Sequence, residues 1–73
     1  MSDQQTTTDT TYNLISVIYH GLQAVDTYHT YLRDAEENGD TELVELLNGA
    51  MEQQRALAGK AKELLAQRLS QGS

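Results

Sequence analysis

Apolar residues recur in this chain at alternating intervals of four and three over two long stretches, separated by a single Asn-Gly. The first stretch is Leu14, Ile18, Gly21, Val25, Tyr28, Leu32 and Ala35. The second is Leu43, Leu47, Ala50, Gln54, Leu57, Ala61 and Leu64, with Arg68 at the next position. That alternation lays one stripe along an α-helix, whereas a strand would need a period of two. Flanking rows widen the stripes. Ile15 and Leu22 lie on one side of the first and continue to His29, Val17, Ala24 and Tyr31 lie on its other side, and Val44, Met51, Ala58 and Leu65 follow the second. A face this broad suits a bundle core better than a two-stranded coiled coil.

Glu36-Glu37-Asn38-Gly39-Asp40-Thr41 interrupts the pattern. Gly39 can take the left-handed conformation that closes a helix, and Asp40 or Thr41 can cap the next. So short a gap returns the second helix antiparallel to the first. Proline is absent, so neither helix is broken. The sequence thus predicts an all-α antiparallel two-helix hairpin, with helix 1 over about 12–37 and helix 2 over about 41–68. A polar tail over 1–11 ends in Asp9, Thr10 or Thr11 as a helix cap, and residues 70–73 are expected to fray. Glu42 and Glu45 in the first turn of helix 2, and Lys60, Lys62 and Arg68 toward its end, complement the helix dipole.

A chain of 73 residues without cysteine has neither disulfides nor thiolate-bound metal to stabilise a small core. Packing of two hairpins into a four-helix bundle supplies what one hairpin lacks, so the expected state is a homodimer or higher homo-oligomer. A net charge of −6 argues against nucleic acid and anionic membrane as partners. No apolar run is long enough to span a bilayer, and the first residues do not resemble a signal peptide. A cytoplasmic, acidic protein is the expectation.

The run Gly21-Leu22-Gln23-Ala24-Val25-Asp26-Thr27-Tyr28, with Tyr31, Ala35, Gly39-Asp40 and Glu42-Leu43, resembles the ferritin-like superfamily. More narrowly, it is similar to the half-ferritin hairpins of rubrerythrins and encapsulated ferritins. That resemblance covers most of residues 14–66 and implies paired hairpins. It also implies a two-iron site built from a Glu on the first helix and Glu-x-x-His on the second. The corresponding positions here hold Gly21, Gln54 and Leu57, none of them a ligand, and Glu52-Gln53-Gln54-Arg55 has Arg where His would be needed. The resemblance therefore implies the scaffold without the ferroxidase chemistry.

Other metal-ligating types are sparse. Asp26 and His29 are spaced to share a helix face, and His20 and Glu52 could join them from elsewhere in an assembly; the plainer reading is a local, partly exposed pair. Gln54 is the polar residue in the helix 2 stripe, with Gly21 at a similar height on helix 1. Such a residue fixes register and oligomer state; the same space could instead admit a small ligand. Tyr28 and Tyr31 read as packing groups. The acidic cluster around the turn lacks the spacing of a calcium loop. Ser16 has no partners for nucleophilic catalysis.

The residues thus point to a non-catalytic protein–protein interaction module with no cofactor, acting on its own copy or a second protein. Its core and oligomer seam is expected to use Leu14, Ile18, Gly21, Leu22, Val25, Tyr28, Leu32, Leu43, Leu47, Gln54, Leu57 and Leu64. The alternatives are a metal-binding or redox protein with a rearranged site at His20, Asp26, His29 and Glu52, and a small-ligand carrier.

Overall fold

The computed structural model describes residues 9–72, and most of the expected tail, together with Ser73, lies outside them. Within that range the chain forms two α-helices, α1 (Thr10–Glu37) and α2 (Thr41–Gly72), and no strand. Helix α1 starts two residues before its expected position. Asp9 is its N-cap, its carboxylate accepting from the Tyr12 N–H at 3.0 Å. Helix α2 runs to Gly72, so Ser70 and Gln71 are helical rather than frayed. Lys60, Lys62 and Arg68 consequently lie inside the helix, and no basic residue occupies its last turn.

The turn is closed by the backbone. Gly39 has φ 67°, the only positive φ among the described residues. This left-handed residue lets the Asp40 N–H reach back to the Ala35 carbonyl at 2.9 Å while the Gly39 N–H bonds Glu36 at 3.1 Å. Those two bonds form a Schellman closure, which satisfies carbonyls that a helix end otherwise leaves open. The Asn38 side chain adds a bond to the Asp34 carbonyl at 2.8 Å. Asp40 then caps α2, accepting from the Leu43 N–H at 3.2 Å. One residue ends the first closure and begins the second helix, so the direction of α2 is set within three positions.

Helix α1 faces its partner along the expected stripe: Gly21, Val25 and Ala35 are buried, and Leu14, Ile18, Tyr28 and Leu32 are half-buried. Helix α2 is rotated from expectation. Its inward line is Val44, Leu47, Met51, Gln54, Ala58, Ala61 and Leu65, with Leu47, Met51, Ala58 and Ala61 buried. Leu43, Leu57 and Leu64, expected in the seam, are exposed within one chain, as is Leu22 on α1. Both lines of α2 alternate by three and four and share Leu47, Gln54 and Ala61; periodicity alone does not choose between them. The chosen line puts alanines and the flexible Met51 against α1.

This core is small. Among the described residues the buried apolar ones are Val25, Ala35, Leu47, Met51, Ala58 and Ala61, half of them alanines, and no side chain there is fully enclosed. The molecule is one helix layer thick, with principal extents of 50 × 29 × 14 Å.

Gly39→Ala should lower stability by about 1 kcal/mol, because alanine in the left-handed region is strained. Gly49 and Gly59 lie inside α2 with nothing within 4 Å of where a methyl would stand. Alanine at each should raise stability by roughly 0.8–1 kcal/mol through helix propensity. Urea denaturation followed by circular dichroism at one chain concentration checks all three.

Candidate interaction surface

The rotation of α2 decides what lies outside the core. In heptad terms, Ile18, Val25 and Leu32 on α1 and Val44, Met51, Ala58 and Leu65 on α2 occupy a positions. The residues before them are g, and those following the d positions are e. When two right-handed helices run antiparallel, their g rows lie on one side of the pair and their e rows on the other. The g side therefore carries Val17, Ala24 and Tyr31 from α1 with Leu43, Ala50, Leu57 and Leu64 from α2, and no charged residue. On the e side, Ile15, Leu22, His29 and Glu36 are joined by Asn48, Arg55, Lys62 and Leu69. The two sides of the hairpin are chemically different.

Side chains on the g side are open although apolar: Tyr31 and Leu57 are each 49% exposed, Val17 40% and Leu64 39%. Tyr31 packs against Tyr28, with ring centroids 6.1 Å apart and planes at 46°. The half-buried Tyr28 thus fixes the position of an aromatic ring on that surface. Leu46, at 67% exposure, borders the row on α2. A contiguous aliphatic and aromatic strip along a single-layer molecule is the kind of surface that marks an interaction site. Charges on the e side make it a poor surface to bury, since desolvating Arg55 and Lys62 without partners is costly.

Gly21 and Gln54 are brought together, as their heights suggested. A methyl on Gly21 would lie 3.6 Å from the Gln54 carbonyl oxygen, 3.6 Å from its side-chain oxygen and 3.7 Å from the Ala58 Cβ. These are ordinary contact distances, so within one chain the space beside Gln54 is of methyl size. Gln54 is half-buried and is the polar member of the inward line of α2.

The candidate metal ligands are spread over the surface. His20, Asp26, His29 and Glu52 are all exposed, and among the described residues no three His, Asp or Glu side chains gather where one ion could bind. His20 packs edge-on to Tyr19 at 5.3 Å between centroids. Ser16 donates to the Tyr12 carbonyl at 2.9 Å, a bond within its own helix. Among the described residues, no helix is long and apolar enough to cross a membrane.

In the sequence, Val17, Ala24 and Tyr31 form a row that widens the apolar face of α1. Its continuation across α2 depends on Leu43, Leu57 and Leu64 lying outside the intramolecular seam, which the helical period alone does not specify. Compared with known proteins, the chain matches no protein-family model, no curated protein and no solved structure.

Gly21→Ala should be accommodated and should raise stability by up to about 1 kcal/mol, since the methyl fits against Gln54 and Ala58. Gln54→Leu should also stabilise, by about 1 kcal/mol, because a half-buried amide gives way to an apolar group of similar length. Thermal melting measures both. A loss of stability in Gly21→Ala would mean that the helices approach more closely at this level.

Proposed function

We propose that the chain is a non-catalytic interaction module that works as a homo-oligomer, a dimer at least, associating through the g-side strip. The observation that carries this reading is an uncharged apolar row continuous over both helices, beside a core of six mostly small buried residues. The large side chains in and beside the strip, Val17, Tyr31, Leu43, Leu46, Leu57 and Leu64, are all exposed within one chain. Homodimer interfaces are rich in apolar surface of this kind. Self-association also fits a chain too short to be stabilised by one hairpin's core.

A second copy is favoured over an unrelated partner because the strip bears no charge or polar pattern that would select one. An uncharged face also lets two chains of net charge −6 meet without burying like charges.

Light scattering coupled to gel filtration should give at least twice the 8.1 kDa chain mass, and the melting temperature should rise with protein concentration. Leu57→Glu should weaken association about a hundredfold or more, a cost of roughly 3 kcal/mol for a carboxylate in an apolar contact. Leu22→Glu, on the opposite side, should leave the mass unchanged. A folded wild-type monomer would refute the proposal and leave the strip to a different protein. Dissociation by Leu22→Glu with Leu57→Glu unaffected would move the interface to the e side.

A further inference from the structure

The hairpin is electrically lopsided along its length. Six carboxylates, Asp34, Glu36, Glu37, Asp40, Glu42 and Glu45, surround the turn with only Arg33 among them, a local net charge of −5. At the open end, among the described residues, Lys60, Lys62 and Arg68 stand against Asp9 and Glu63, a net charge of +1 with histidine neutral; Asp3 lies outside those residues. The middle of the hairpin carries Asp26, Glu52 and Arg55.

We propose, on the basis that the g-side strip joins two copies, that they pack end over end. The acidic turn of one chain then lies at the open, basic end of the other, and the two-fold axis crosses the helices near Ala24. The competing two-fold arrangement runs parallel to the helices and sets both turns at one end. It would bring ten net negative charges, twice the −5 of one turn, into a cluster the width of a four-helix bundle. Screening does not remove that repulsion. The Debye length of about 8 Å at physiological ionic strength is close to the 8–10 Å between packed helix axes. Turning one copy end over end separates the clusters by the length of the bundle and sets each against a basic end.

The shape of the strip agrees with this orientation. Gly21 lies beside Gln54 and Ala58, so moving along the helices by heptads puts the middle of the strip at Ala24 on α1. Ala24 is the smallest side chain of its row, and Val17 and Tyr31 are each one heptad away from it in opposite directions. A half-turn about an axis at Ala24 brings Val17 level with Tyr31 of the second copy. A branched aliphatic then meets an aromatic ring that Tyr28 already positions. The alanines of the two copies meet at the centre, where small side chains let the layers close.

Distance between the turns tests the orientation, and the cysteine-free chain permits a single label. Thr41→Cys, exposed at the start of α2, is spin-labelled and measured by pulsed EPR at low ionic strength, with the mass of the same sample taken by light scattering. End-over-end packing puts the two labels roughly 40 Å apart, from the helix rise of 1.5 Å per residue over about 13 residues on either side of the axis. Same-end packing puts them within about 20 Å, two helix spacings. A dimer with the long distance supports the proposal, and a dimer with the short distance, or with comparable populations of both, overturns it alone. A monomeric mass without an intermolecular distance overturns the homo-oligomer reading, and this inference with it.

Discussion

The bond from the Asp40 N–H to the Ala35 carbonyl fixes more of this molecule than any contact between side chains. It exists only because Gly39 takes a positive φ, and it aims the chain so that Asp40 caps the next helix. Which residues of α2 face α1 is then a matter of rotation about an axis already set. That rotation turns Val44, Met51, Ala58 and Leu65 inward and leaves Leu43, Leu57 and Leu64 outside. The core and the apolar strip are two outcomes of that one rotation.

Half of the buried apolar residues are alanines, while several large apolar side chains stay open, which departs from the usual arrangement of a globular domain. Ala35, Ala58 and Ala61 are buried, while Leu57, Leu64 and Tyr31 are half open. Alanine between helices gives close approach and little hydrophobic stabilisation, since burial scales with apolar area. Beside the buried Leu47 and Met51, several large apolar side chains are thus left open within one chain.

Much of the fold was legible in the sequence. Gly39, the two aspartate caps and the α1 stripe are local features, each decided by residues within a turn of one another. The rotation of α2 was not, because two lines sharing Leu47, Gln54 and Ala61 satisfy the same helical period. Only the pairing with α1, a tertiary fact, separates them. The proximity of Gly21 and Gln54 followed from counting outward from the turn. The difference between the e and g sides needed the true rotation. The inner ends of the helices, at Glu37 and Thr41, are where the sequence places them, whereas the outer ends lie two and four residues further out, as polar sequence continues a helix without an apolar signal to mark it.

The scarcity of enclosed side chains also bears on the life of the molecule in a cell. A polypeptide with so thin an interior spends a larger share of its time locally open, and proteases cleave opened chains in proportion to that share. Where a second copy covers the strip, crowding of like molecules closes the structure and slows its own removal. For a chain that pairs in this way, synthesis rate and lifetime would be linked, sparse copies being cleared faster than abundant ones. A core half made of alanines would in this way set a threshold of abundance below which such a protein does not accumulate.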